Sequence, residues 1–284
     1  MLAVIGASLM WAVEPIFAKL AYAGSDYLQT SAVRAVGVTL TALAYVALTN
    51  RANLKITGRQ FSVLLYIAFV GTLVADLLYL LALERIPVLN AVLIGHMQPI
   101  SVVLIGYFVL KQDRLTRYDY LGITVMIAAA LLVTTKTLEN LTALKFGTSG
   151  DLLVALATVA WATTGIAMRK YLTELNAGVI TFYRFLIASL VFTAYLSFGP
   201  GLRVSNIHQV LIGLSVGLGT ILYYEGLKRL KAAQVSALEL STPFFALLLD
   251  FLIRGQTVTL LQVIGVLLLF AGVYMLSRKE ETYF

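Results

Sequence analysis

Seven ionisable side chains of this 284-residue chain fall inside long apolar runs: Glu14, Arg34, Asp76, His96, Arg184, Glu239 and Asp250, with Glu225 near the end of its own run. An ionisable group at the centre of a helix in hydrocarbon costs about 2.5–3.5 kcal/mol on insertion scales. Such groups therefore turn inward or toward water and mark binding sites, ion paths or proton relays. Glu14 is the plainest case, set in Trp11-Ala-Val-Glu14-Pro-Ile-Phe-Ala-Lys19. Counting about 1.5 Å of rise per residue along each run places Arg34 at a depth near Glu14 and Arg184 near Glu239. We expect the ion pairs Glu14–Arg34 and Arg184–Glu239; the alternative for each is a bridge that only fixes helix packing. Asp76, one turn before Tyr79, suits either a proton acceptor or a cap on a neighbouring helix. His96 titrates near neutral pH and suits a solute or proton contact, or a satisfied buried imidazole.

Rings and prolines complete the inventory. Trp11, Tyr79, Trp161 and Tyr223 lie within the same runs, and a cavity lined by rings and a few charges suits amphipathic or cationic organic solutes. Pro99 and Pro243 each remove a backbone hydrogen bond, predicting kinks that free carbonyls toward the same cavity. Glu239, Pro243, Ala246 and Asp250 are spaced 4, 3 and 4 apart, one stripe of a helix, and that stripe should face the bundle interior.

The elements that position these groups follow from composition. Hydrophobic residues make up 60% of the chain, charged residues 12%, and the mean hydropathy is +0.90, too little polar surface to coat a soluble globule. Ten runs of spanning length are expected at about 2–23, 28–49, 60–83, 88–110, 118–136, 150–170, 177–198, 207–227, 233–253 and 259–277, all helical because lipid offers no partner to open backbone. With the N-terminus inside, the inner connections carry thirteen basic residues against six outside, so both termini are expected in the cytoplasm. The net charge of +7 is then a topology signal and implies no nucleic-acid partner. With Glu14 and Lys19 in the first run, no cleavable signal peptide is expected. Cysteine is absent, which excludes disulfides and thiol chemistry.

The chain repeats itself. At an offset of 150, Trp11/Trp161, Arg34/Arg184 and Tyr45/Tyr195 coincide; the offset becomes 144 at Tyr79/Tyr223, Arg85/Arg229 and Pro99/Pro243, then 143 at Thr116/Thr259 and Gly122/Gly265. Two five-helix units, 1–136 and 150–278, are joined by a linker at 137–149 and followed by a cytoplasmic tail at 279–284. Five is odd, so the second unit enters the membrane from the opposite side, giving an inverted repeat. Glu14 and Glu239 have the uncharged counterparts Thr164 and Gly95, which favours function over architecture for both.

The pattern Trp11…Lys19, Arg34, Ala82-Leu-Glu-Arg85, Pro99, Asp113-Arg-Leu-Thr116 and Gly122, repeated as Trp161…Arg169, Arg184, Gly226-Leu-Lys-Arg229, Pro243, Gln256-Thr-Val-Thr259 and Gly265, resembles the two EamA domains of the drug/metabolite transporter superfamily. The resemblance covers nearly the whole chain. It implies a ten-helix inner-membrane exporter or permease with a central cavity and alternating access.

The expected function is a secondary transporter of a small organic solute, amino-acid-like or cationic, moving outward across the cytoplasmic membrane, with protons as a possible co-partner at Glu14 or Glu239. A proton-coupled uptake permease, a facilitative carrier and, less well supported, a channel or structural membrane protein are the alternatives. No phosphate-binding glycine loop, zinc motif or aspartyl-protease pair is present, so neither enzyme activity nor a cofactor or metal is expected.

Overall fold

The computed structural model describes residues 1–49, 54–109, 111, 115–145, 147–229, 235 and 238–277. Asp113, Arg114 and the tail from 279 lie outside the described residues.

Apolar length dictates the elements. Helices α1 (Leu2–Ala21), α2 (Tyr27–Thr49), α3 (Gly58–Arg85), α4 (Val88–Phe108), α5 (Arg117–Thr135), α6 (Ser149–Tyr171), α7 (Ala177–Ser197) and α8 (Ile207–Arg229) are each long and apolar enough to cross a membrane. The shorter α9 (Ser241–Arg254) and α10 (Leu260–Ser277) follow. No strand occurs among the described residues. Local chemistry sets several starts. Thr57 with Gln60, Thr116 with Asp119 and Thr148 with Asp151 close capping boxes at α3, α5 and α6, each hydroxyl accepting from the backbone N–H three residues on. Gly255, at φ +65°, ends α9 in the left-handed region. The connection between halves holds a five-residue helix, Leu138–Thr142. His208 lies in the first turn of α8.

The helix pairings obey the repeat. If α1 to α5 are exchanged with α6 to α10, α1·α8 becomes α6·α3, α2·α8 becomes α7·α3, and α1·α9 becomes α6·α4; α2·α7 and α5·α10 map onto themselves, and every one of these pairs is packed. Close approaches fix the directions. Gly226 meets Val4, Gly219 meets Met10 and Trp11, and the Asn206 side chain donates to Ala21 O, so α1 and α8 run antiparallel. Gly37 packs on Gly213 and Thr41 on Gly217, so α2 and α8 run parallel. Gly178 abuts Tyr45 and Val46 while Arg34 lies over Phe185, so α2 and its counterpart α7 run antiparallel. Equivalent helices of the two halves thus point in opposite directions.

Two departures from ideal helix bear on the site. Within α3, Ile67–Asp76 is π-helical, with the wider i to i+5 bonding. Helix α4 is interrupted at His96 and Met97, between Val88–Gly95 and Gln98–Phe108, and Pro99 opens the second piece. Pro243 is the third residue of α9, which starts at Ser241 after a turn at Leu240. The predicted kinks are therefore a full break in α4 and a helix start in α9. In both places proline occupies the opening turn, where no N–H is missed.

Candidate functional site

Arg34 and Arg184 are matched by the 150-residue repeat, and the inverted packing brings them together at the middle of the bundle. Both reach one carboxylate oxygen: Arg34 Nη1 lies 2.9 Å and Arg184 Nη2 3.3 Å from Asp76 Oδ2. The other oxygen, Oδ1, accepts the indole N–H of Trp161 at 2.7 Å. Arg34 Nε lies 2.8 Å from Glu14 Oε1, close enough to pair but without a well-aligned hydrogen bond. Glu14, Arg34 and Asp76 are 7%, 5% and 4% exposed.

The second arginine is fully engaged. Its Nε donates to Thr72 Oγ1 at 2.8 Å, Nη1 to the Tyr224 hydroxyl at 3.2 Å, and Nη2 to Gly71 O at 3.3 Å. Both guanidinium groups also lie over the Phe185 ring, at 5.5 and 5.0 Å from its centroid. Gly71, Thr72 and Asp76 all belong to the π-helical stretch. In an α-helix residues five apart point well away from one another; i to i+5 winding puts Gly71 and Asp76 on one side, toward one guanidinium. Two guanidiniums and two carboxylates balance in charge, and such balance with directional bonding is what a buried ionic centre requires.

Of the expected pairs, Glu14–Arg34 forms. Arg184 does not join Glu239; it joins Asp76. The depth estimate assumed straight α-helices, and it took no account of the π stretch that swings Asp76 inward. Asp76 is neither cap nor isolated acceptor but the common partner of both arginines. Thr72 and Phe185 were missed. Charge counting across the repeat would have pointed to Asp76: one arginine per half demands two acids, and the first half holds both, opposite Thr164 and Thr220.

Glu239 lies half-buried beside the Tyr223 hydroxyl. The Trp11 and Tyr223 rings are 4.8 Å apart, and their repeat counterparts Trp161 and Tyr79 are 5.3 Å apart, so each tryptophan packs on a tyrosine of the other half. His96 turns inward on itself, Nδ1 lying 2.7 Å from Val92 O. Along α9, Pro243, Ala246 and Asp250 are buried as the stripe predicts, Ala246 against Ala12, Ile16, Val88 and Val92. Asp250 pairs with Arg254 at 2.8 Å. Trp11, Trp161, Pro99, Pro243 and Tyr223 were expected to line a cavity. The two best-formed cavities, about 20 and 10 Å³, lie instead near Met168, Ile180 and Tyr224 and between Leu93, Ala129 and Leu269, and none of the five borders them.

One end of the bundle is tied across the halves. Gln29 Nε2 donates to Gly201 O at 2.7 Å and its Oε1 accepts from Arg203 N at 3.1 Å. Gln209 Nε2 donates to Ser25 Oγ at 2.7 Å. Asn90 bridges Asp151 and Gln262, at 3.2 and 3.4 Å. These contacts join the loops α1–α2, α3–α4, α5–α6, α7–α8 and α9–α10.

An EamA-like transporter family model matches residues 1–135 and again 148–278. The chain belongs to the EamA-like transporter family. Among relatives of this EamA-like transporter, the uncharacterized transporter sll1164 of Synechocystis is 27% identical over 236 residues, 77% of this chain and 66% of that protein. The chain thus spans about two thirds of that relative's length. The uncharacterized transporter YyaM of Bacillus subtilis is 24% identical over 253 residues, 86% of this chain and 81% of that protein. The uncharacterized inner membrane transporter YhbE of Escherichia coli K12 is 24% identical over 66% of this chain and 60% of that protein. A crystal structure 19% identical, with a TM-score of 0.67 over 96% of this chain and 94% of that one, shares the fold. The chain is a multi-pass membrane protein and a membrane transporter, built as two EamA repeats.

Proposed function

We propose that this protein exports a small organic solute across the cytoplasmic membrane by alternating access, crossing the bilayer ten times with both termini inside. The observation that carries the reading is the convergence of Arg34 and Arg184, one from each half, on Asp76. A charge cluster shared by two inverted units couples their movement, because neither unit can rotate without breaking an ion pair held by the other. The face carrying the α1–α2 loop is latched by Gln29, Gln209 and Asn90, which supports a state closed on that side. Glu14, whose contact to Arg34 is poorly aligned, and Glu239, which is half-buried, are the carboxylates available to trade a proton for solute.

Proteoliposome flux tests the reading. Vesicles loaded with a metabolite mixture are given a pH gradient, and the solutes that leave are identified by mass spectrometry. Export by exchange predicts solute movement opposite to proton movement, lost in Asp76→Asn. Solute moving with protons favours uptake, and no protein-dependent flux of any solute overturns the transporter reading.

A further inference from the structure

The two Trp–Tyr pairs are related by the repeat, yet their electrostatic settings differ. At Trp161–Tyr79 the neighbouring carboxylate is Asp76, which takes the indole N–H and is neutralised by Arg34 and Arg184. At Trp11–Tyr223 the neighbouring carboxylate is Glu239, beside the Tyr223 hydroxyl. Among the described residues no arginine or lysine forms an ion pair with Glu239; Arg169, the cation that acts on it, is solvent-exposed at the end of α6. One turn along α9, Thr242 is 1% exposed and its hydroxyl has no partner. Glu239, Trp11 and Tyr223 are all half-buried, whereas Glu14, Arg34 and Asp76 are buried.

A carboxylate with no ion-pair partner, beside a packed Trp–Tyr pair, is a complement for an ammonium group. The carboxylate supplies a charge-assisted hydrogen bond, and the rings supply cation–π attraction and apolar cover. We propose that Glu239, Trp11 and Tyr223 bind the cationic amine of an organic solute. The proposal rests on the transporter reading and names its substrate class.

Three solutes that share a phenyl ring and differ in charge test it: phenethylammonium, 2-phenylethanol and phenylacetate. Tryptophan occurs twice, so Trp161→Phe leaves Trp11 as the sole indole reporter. Titrated into the full chain in lipid nanodiscs, phenethylammonium should quench Trp11 fluorescence saturably, at least about tenfold more tightly than the alcohol, and phenylacetate more weakly still. Glu239→Gln should weaken the cation about tenfold and leave the alcohol unchanged. Equilibrium binding of radiolabelled phenethylammonium to the unmodified chain and to Glu239→Gln repeats the comparison if Trp161→Phe fails to fold. Equal binding of the three solutes, an unchanged affinity in Glu239→Gln, or no cation binding at millimolar concentration overturns the proposal. Flux of a neutral or anionic metabolite in the proteoliposome experiment would overturn the substrate class and leave the transporter reading standing.

Discussion

Arg34 and Arg184 occupy the same position in the two halves and donate to the same oxygen of Asp76, at 2.9 and 3.3 Å. One residue from the first half thus satisfies both halves at their junction, and its counterpart in the second half is the uncharged Thr220. The relation makes Asp76 the least replaceable acid in the molecule.

Asp76→Asn leaves two buried guanidiniums facing each other with Glu14 as the remaining acid. Breaking a buried pair by removing one partner costs about 3–5 kcal/mol. Thermal unfolding in micelles should show that loss. Asp76→Asn/Arg184→Gln should recover part of it, because the surplus charge is gone. A double variant as unstable as the sum of the singles would show that the pair does not couple.

Trp161 and Trp11 should respond unequally to phenylalanine. The Trp161 N–H donates to Asp76 Oδ1 at 2.7 Å, whereas the Trp11 indole has no hydrogen bond among the described residues. Replacing Trp161 leaves a buried carboxylate oxygen without its donor, at about 1–3 kcal/mol, and Trp11→Phe should cost less than about 1 kcal/mol. Melting temperatures measured side by side check the order.

Gly37 and Gly213 pack backbone to backbone between the halves. A Cβ on Gly213 would lie 2.8 Å from Gly37 Cα, and one on Gly37 would lie 2.9 Å from Gly213 Cα. Backbone cannot swing aside, so Gly213→Ala should cost about 1–3 kcal/mol by forcing α2 from α8. Gly106, in the second piece of α4, has open space around its would-be Cβ, and Gly106→Ala should be neutral or stabilising by up to about 1 kcal/mol. Urea or thermal unfolding of the two variants gives opposite signs if this packing is right.

Gln209 and Gln29 tie the α1–α2 end of the bundle across the halves, and the chain has no cysteine to interfere with labelling. A single cysteine at Thr30, which is fully buried, should react slowly with a water-soluble maleimide. Adding Gln209→Ala and Gln29→Ala should speed that reaction several-fold by releasing the face. An unchanged rate would mean that these amides do not control it.

Much of the fold was legible because apolar length and a repeated Trp, Arg, Tyr and Pro leave few arrangements. The Glu14–Arg34 pair was legible for the same reason: both lie on regular helices, where rise per residue gives depth. Arg184's partner was not. Asp76 ends the π stretch of α3, and its direction depends on winding that no side-chain pattern announces. The break at His96 was half visible, since Pro99 marks the level, but a proline kink and a helix restart read alike in one dimension. The unlike surroundings of the two Trp–Tyr pairs needed coordinates, because the tyrosine of each comes from the opposite half.

The amides of Gln29 and Gln209 carry no net charge and titrate at no ordinary pH. Salt and acid in the surrounding medium therefore have little grip on these fastenings, since screening acts on ions and not on neutral dipoles.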